Sequence, residues 1–494
     1  MINHSVKPFP AERWLYLFVF LHVFFWTLIP AWVRYTLPMD AIEGTIWGHQ
    51  LVWGYDKNPF LNAWLTRLAL FLGDGSVWVI YLFSQLSVAA CFWAVWKLGK
   101  KILPPVYALI GVMLLESMQY YNLHAIDFND NTLELGLWAL TILYFYQATL
   151  HNKLLDWLLT GLFAGLGMMA KYYTAVLLIP LAFFLLINRT ARQSFKSKNI
   201  YLGLLLFIII ILPHTIWLFL HDFITIDYAV ERVSSPPTLL NHLQFPLHFA
   251  WQQCEVLLPA LLLFSILFLG KKPFLAARPP LAAFDKAFLL IAGFGPFLMT
   301  ILLSAIFGMK LRAGWGQPLL SLWGILLVTW ITPRLTRERF TAFIVLLVVL
   351  STVMISVYSI ALIRAKKPSS ANFPGEIIAR ELTQQWEQRY HTPLTYVAGP
   401  RWLAGNIAFY SKDQPTVYID WDNKVSSWID ESKVRQAGAI FVWDPTEAIQ
   451  RSEKEIRARF QTVGPTEIMH FMWMRNKTME PVEISVAFLP PNQE

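Results

Sequence analysis

Apolar residues come in long runs from the N-terminus of this chain to about Arg364. The runs lie near 14–34, 77–96, 102–116, 132–149, 154–170, 172–188, 200–220, 252–270, 286–307, 315–332 and 340–363. A helix crosses the bilayer core with about 20 apolar residues. The pattern therefore predicts a polytopic α-helical membrane protein with about eleven transmembrane helices. The runs 102–116 and 154–170 are short for a full crossing. The first run is too long for a removed signal peptide and lacks a small-residue cleavage site, so it is read as a permanent span.

The pattern changes after Arg364. Lys366-Lys367-Pro368-Ser369-Ser370 reads as a linker. Pro374 to Tyr390 has a helical period, and proline suits a helix start. Thr395–Ala398, Thr416–Ile419 and Ala439–Trp443 are short apolar strands. Asp444-Pro445 ends the third, and a helix is expected from there to about Phe460. The segments 467–475 and 482–489 read as a final strand pair. Two domains are thus expected: a membrane domain over 1–364, with outer loops 35–76 and 221–250, and a small α/β domain over 371–494.

Composition narrows the class. Hydrophobic residues make up 56% and charged residues 15% of the chain. A soluble domain carries about 25% charged residues, so a soluble enzyme is disfavoured. Aromatic residues at 15% exclude a disordered chain. The net charge of +8 is read as cytoplasmic loop charge rather than a nucleic-acid surface. The two cysteines, Cys91 and Cys254, imply neither a disulfide framework nor a zinc site.

Sidedness follows from the basic residues. With Lys7 and Arg13 inside, most of the loop Lys and Arg fall on the cytoplasmic side, including Lys100, Lys101, Arg189, Arg192, Lys271, Arg278 and Arg337. The opposite side holds Arg34, Lys57, Arg67, Lys171, Arg232, Lys310 and Arg312. The division depends on a break between two spans at Lys171-Tyr172-Tyr173. Acidic residues sort to the outer side: Asp40, Glu43, Asp56, Asp74, Glu116, Asp127, Asp130, Asp222, Asp227 and Glu231. Carboxylates close to a membrane are costly unless paired or solvated, which makes them functional candidates. Solvated loop positions are the plain alternative. The loop after the seventh span, marked by Pro236-Pro237, is long enough for a lid or a simple solvated connection.

The first outer loop, Pro38 to Leu65, is the richest segment. Ile42, Ile46, Trp47 and Leu51 recur near the helical period, so an interfacial helix is expected. Asp40 and Glu43 are three residues apart and share a face. They also fit a helix cap, with Asp40 at N-cap and Glu43 at N3. Gly54-Tyr55-Asp56-Lys57-Asn58-Pro59 is a tight loop that presents one cation beside Tyr55 and Phe60. A lysine there could hold a lipid phosphate or simply be solvated.

These residues resemble those of the GT-C glycosyltransferases, in particular family 39 and its bacterial relatives. That group includes the dolichyl-phosphate-mannose protein mannosyltransferases and the lipid A glycosyltransferases. The match begins with Asp40, Glu43 and Asn58-Pro59-Phe60-Leu61-Asn62-Ala63-Trp64. It continues with Asn129-Asp130-Asn131-Thr132, with the glycine-rich stretch 161–167 followed by Ala170-Lys171-Tyr172, and with the basic loop 309–318. It covers about residues 10–330. The family's loop lysine usually precedes Pro-Pro, whereas here Lys57 is followed by Asn58-Pro59-Phe60. Asp127 competes with Asp130 for the second acidic position.

The resemblance implies a polyprenyl-phosphate-linked sugar donor, a lipid or glycan acceptor and no nucleic-acid partner. Transfer would occur at the periplasmic side of a bacterial inner membrane, where the C-terminal domain would also lie. Chemistry suits the residues. A carboxylate, Asp40, can take the acceptor hydroxyl's proton. Glu43 and Asp130 would complete the catalytic set. Lys57, Lys171 and Arg312 can meet the charge that builds on the leaving phosphate. Asp127, Tyr55 and His49 are candidates for acceptor binding or support. A divalent cation near Glu43, His49 or His124 is left open, since their spacing matches no strong metal motif. Direct displacement predicts inversion at the anomeric carbon. Protein O-mannosyl transfer, and a transporter or flippase of lipid-linked sugars, stand as alternatives.

Overall fold

The computed structural model describes residues 10–236, 238–277, 280–446, 449–475 and 478–492. Lys7, Pro237 and Arg278, used above for sidedness and for the outer loop, lie outside them. The helices in chain order are α1 (Ala11–Val33), α2 (Met39–Gly48), α3 (Leu61–Leu72), α4 (Trp78–Ile102), α5 (Pro105–Glu116), α6 (Asp130–His151), α7 (Leu154–Ala170) and α8 (Ala175–Ile187). They continue as the short α9 (Arg189–Arg192), α10 (Lys198–Leu220), α11 (Ile224–Val233), α12 (Asn241–Ser265), α13 (Ala283–Phe307), α14 (Trp323–Trp330) and α15 (Arg337–Ile363). The tail adds α16 (Gly375–Tyr390), α17 (Arg401–Tyr410), α18 (Glu431–Ala437) and α19 (Ile449–Arg459).

Among the described residues six helices are long and apolar enough to cross a membrane: α1, α4, α10, α12 with its short continuation, α13 and α15. A seventh is added if the bent pair Tyr172–Ile187 and Arg189–Lys196 is one span. The hydropathy runs near 102–116 and 154–170 become the shorter apolar helices α5 and α7. The run near 315–332 is broken into two 3-10 turns and the eight-residue α14. Hydropathy cannot separate a crossing helix from a shorter one buried among others. α15 is the plainest membrane face, since only 11% of its apolar window is covered by protein. Val345, Val348, Val353, Val357 and Ile360 all point outward. Water does not tolerate a valine ridge of that length, and lipid does.

The chain divides into two compact units. The first comprises residues 1–27, 82–126 and 130–356. Its core is a continuous apolar cluster that includes Phe92, Trp96, Leu109, Trp138, Phe145, Phe184, Phe288 and Ile325. Two helix crossings in it depend on missing side chains. A Cβ on Gly161 of α7 would sit 2.0 Å from the carbonyl oxygen of Gly203 in α10. Gly111 and Gly324 meet in the same way between α5 and α14. Small residues let membrane helices approach to backbone contact. Gly161→Val is therefore expected to lower stability by about 3 kcal/mol, the upper end for overpacking. Gly314→Ala, where an added Cβ meets nothing within 4 Å, should change it by less than about 0.5 kcal/mol. Thermal unfolding of both variants in detergent checks this pair.

The second unit comprises residues 28–81, 127–129 and 357–494. Its five-stranded sheet has the order β2-β1-β3-β5-β4, with β1 at Tyr396–Gly399, β2 at Thr416–Ile419, β3 at Ala439–Trp443, β4 at Glu467–Phe471 and β5 at Val482–Leu489. β2, β1 and β3 run parallel, and β5 pairs antiparallel with β3 and β4. β3 is buried at all five positions, as its unbroken apolar run requires for a central strand. The five strands and the Gly375–Tyr390 helix stand where the sequence placed them. The reading missed α17, the crossover helix that joins β1 to the parallel β2. Its signal is present: Gly399-Pro400 ends the strand, and Leu403, Ala404, Ile407 and Ala408 form its buried side. The loop expected after the seventh span also differs, because residues 224–233 of it form α11. Within this unit α2 packs on α3. An added Cβ on Gly48 would lie 2.7 Å from the Ala63 carbonyl oxygen.

Candidate active site

Two groups of polar residues stand out, one in each unit. The group in the second unit is built around α2. The sequence left open whether Asp40 caps this helix, and the structure decides against it. Pro38 holds the N-cap position with no side-chain hydrogen bond, and Asp40 lies in the first turn. The cap comes from far along the chain. Asp127 accepts the backbone N–H of Ala41 at 3.0 Å and that of Asp40 at 3.4 Å. A helix N-terminus carries unpaired N–H groups and partial positive charge, so it attracts a carboxylate. Asn129 donates from Nδ2 to Asp40 Oδ2 at 2.9 Å. Asp40 is thus held beside a second carboxyl and oriented by an amide.

Asp127 is half-buried, and desolvation first and the Asp40 charge second push its carboxyl well above the ordinary range. The N–H groups of α2 and the nearby Arg34 act in the opposite direction. Asp127 therefore keeps its proton in the fold to a higher pH than in the unfolded chain. The stability it contributes is complete below the ordinary aspartate value and is lost as pH rises through the elevated one. Asp127→Asn keeps a carbonyl acceptor for the cap and cannot ionise. The fall in melting temperature with rising pH over that window is expected to flatten in this variant. A series of Tm measurements against pH tests this, and an unchanged slope would place the titration elsewhere.

Glu43, one turn on, faces the Gly54–Pro59 loop. Lys57 donates to Glu43 Oε1 at 2.6 Å. Arg401, the first residue of α17, donates to the same oxygen at 2.9 Å. Arg401 also forks onto both oxygens of Asp56, at 3.2 Å for Nη1 to Oδ1 and by a short contact from Nη2 to Oδ2. Glu43 is buried, and desolvation still raises its carboxyl despite the two cations. Tyr55 stacks on Trp47 with ring centroids 5.1 Å apart and donates its hydroxyl to the Trp47 carbonyl at 2.8 Å. It is a buried support of the loop. An antiparallel bridge between Gly54 and Pro59 closes the turn that presents Lys57. His49, at the C-terminal end of α2, lines a cleft of about 170 Å³ with Arg67, Gln414 and Phe409. Burial and then Arg67 lower its proton affinity.

The group in the first unit sits where α7 gives way to α8. The break expected at Lys171-Tyr172-Tyr173 is present, as α7 ends at Ala170 and a 3-10 turn follows. Lys171 pairs with Asp130 Oδ2 at 2.8 Å and donates to Asn131 Oδ1 at 2.5 Å. Its ammonium lies 5.4 Å from the centre of the Trp315 ring. The turn is pinned by Tyr172 to His214 at 2.5 Å and Tyr173 to Thr300 at 2.6 Å. Arg312 precedes the 3-10 turn Ala313–Gly316 and is exposed. The Ala313 carbonyl next to it accepts from Tyr120 at 2.6 Å.

The sequence-predicted residues thus fall into sets. Asp40 joins Asp127, and Glu43 joins Lys57, in the second unit. Asp130 joins Lys171 in the first. Arg401 was missed, since it lies 358 residues from Glu43. Among the described residues no group of three or more His, Cys, Asp or Glu side chains is placed to hold a metal ion.

Comparison with known proteins bears on the whole architecture. The family model for dolichyl-phosphate-mannose-protein mannosyltransferase matches residues 57–217. The lipopolysaccharide core galacturonosyltransferase RgtA of Rhizobium johnstonii is 20% identical over 186 residues. The match spans 37% of this chain and 37% of that relative's length. ArnT from Cupriavidus metallidurans, solved bound to undecaprenyl phosphate, superimposes with a TM-score of 0.59 at 13% identity, covering 98% of this chain and all of ArnT (100%). Its apo structure gives 0.58 at 12% identity, with the same coverage. At these identities the likeness is one of fold, and it extends through both the helices and the C-terminal sheet.

Proposed function

We propose that this multi-pass membrane chain, whose fold is similar to that of ArnT, is a GT-C glycosyltransferase that moves a sugar from a polyprenyl-phosphate donor to an envelope acceptor. The acceptor is lipid A, lipopolysaccharide core or another glycan, and the reaction takes place on the periplasmic side of a bacterial inner membrane. One observation carries the reading. A single compact unit holds an oriented carboxylate, Asp40, and a loop-borne cation, Lys57, on and against the same short helix. The names of two similar proteins agree with the substrate class: one is a lipopolysaccharide core transferase and the other was solved with undecaprenyl phosphate.

The chemistry needs few parts. The acceptor hydroxyl attacks the anomeric carbon and gives its proton to Asp40. The bond between that carbon and the phosphate oxygen breaks, and the electron pair leaves with the phosphate. Polyprenyl phosphate is a stable anion, so no general acid is needed. The growing charge needs cations, and Lys57, Lys171 and Arg312 are the candidates. A single displacement inverts the anomeric centre. Asp127, beside Asp40 and inclined to stay protonated, keeps a second negative charge away from the base. Glu43 holds Lys57 until a phosphate arrives. Asp130 holds Lys171 in the same manner.

The test is transfer by purified protein in detergent, from a panel of labelled polyprenyl-phosphate sugars to an envelope extract. Label in a lipid A or glycan fraction is the expected result. Label in protein would move the acceptor to polypeptide. No transfer from any donor by folded protein would sink the reading and favour transport of lipid-linked sugars.

A further inference from the structure

The geometry around Glu43 poses a problem that the proposed reaction must solve. Lys57 is bound to a buried carboxylate, and its charge must shift from that carboxylate if it is to serve a phosphate fully. An ion pair broken in a buried site leaves an uncompensated charge, which is strongly unfavourable. A lysine gripped by Glu43 alone would therefore be a poor phosphate ligand. The cluster contains a second cation placed to remove this difficulty. Arg401 bonds the same oxygen of Glu43 that Lys57 uses, at 2.9 Å against 2.6 Å. It is also fixed from the other side by a two-pronged contact with Asp56. Its guanidinium stands 6.0 Å from the Trp47 ring on α2. Asp420, just past β2, adds a third carboxylate whose field reaches both cations. Three acids thus surround two bases.

We propose that Arg401, supplied by the C-terminal domain, is the positioning residue of the phosphate site: it stays on Glu43 and Asp56 when Lys57 leaves Glu43 for the donor phosphate. The inference rests on the functional reading above and gives the C-terminal domain a part in it. Arg401 suits the task better than lysine would. Its planar fork can satisfy Asp56 with two bonds and still reach Glu43. Lysine offers a point charge on a flexible stem, which suits the partner that must move. The arrangement also explains why both cations meet at one oxygen. As Lys57 departs, the oxygen keeps a charge-assisted bond, so the buried carboxylate is never left bare.

The consequence can be measured as donor-lipid affinity. The full-length chain is purified in detergent and titrated with radiolabelled undecaprenyl phosphate, with Tm recorded for every variant. Wild type is expected to bind and Lys57→Gln to lose binding. Arg401→Gln is expected to weaken binding about tenfold, because Glu43 is then left with Lys57 as its cation and holds it against the phosphate. Arg401→Lys should weaken it less. The double variant Arg401→Gln with Glu43→Gln removes the competing charge, and its affinity should return to within about threefold of wild type. A purely structural arginine would not be rescued in this way. Wild-type affinity in a folded Arg401→Gln, or a double variant as weak as the single, overturns the inference. If Arg401→Gln does not fold, Arg401→Lys decides: unchanged affinity overturns the proposal and weakened affinity at an unchanged Tm supports it. Failure of wild type to bind, or equal binding by Lys57→Gln, instead overturns the functional reading itself.

Discussion

Asp40→Asn is expected to abolish sugar transfer while leaving the protein folded and able to bind donor lipid. The substitution changes one atom. An asparagine at this position still offers a carbonyl oxygen to Asn129, which now bonds Asp40 Oδ2 at 2.9 Å. The cap of α2 is untouched, because Asp127 supplies it through the N–H groups of Asp40 and Ala41. What is lost is the lone pair that accepts the acceptor's proton. A positioned general base contributes about 10²–10⁴ in rate, so turnover should fall by about 10³-fold with little change in donor KM. The measurement is transfer from a labelled polyprenyl-phosphate sugar, with donor binding and Tm followed in parallel. Activity within about tenfold of wild type would remove Asp40 as the base. Asp127 would not replace it easily, because its two carboxyl oxygens accept the N–H groups of Asp40 and Ala41.

The effect of this substitution depends on a neighbour that sequence alone could not supply. The acidic pair Asp40 and Glu43 was legible, since hydrophobic residues around them follow the helical period. Their partners were not. Asp127 reaches Ala41 across 86 residues and Arg401 reaches Glu43 across 358. Local pattern contains nothing about such pairings, and an N-cap from a distant carboxyl looks in sequence like an uncapped helix. The tail was read well because short strands carry their own signature: β3 is a run of five apolar residues and β2 begins just after a Gln-Pro pair. α17 is weakly marked in sequence, because it is only ten residues long and carries Gly405 in its middle. In the membrane part the apolar runs were found, yet hydropathy gave no means of sorting α5, α7 and α14 from the longer crossing helices. Length and burial do that, and burial is a property of the fold.

The Lys171 substitution separates folding from chemistry in the first unit. Lys171 and Asp130 lie 2.8 Å apart with side chains only 16% and 12% exposed. Removing one partner of such a pair strands the other, at about 3 kcal/mol after some allowance for the remaining solvent. Lys171→Gln is therefore expected to lower Tm clearly. If Lys171 also meets the leaving phosphate, the same change should reduce kcat/KM by about 10²-fold or more. The double variant Lys171→Gln with Asp130→Asn removes both charges, and amide can bond amide in their place. Its Tm should recover most of the loss, since no buried charge is left unpaired. Its turnover should stay low if Lys171 meets the leaving phosphate, because the cation is still missing. Recovery of both would show that the pair serves only to hold α6 against the end of α7. Asp130→Asn alone adds a further readout: it leaves Lys171 with Asn131 at 2.5 Å and Trp315 nearby. If Lys171 is a phosphate ligand, relieving it of its carboxylate should tighten that contact, and donor KM is then expected to fall in this variant.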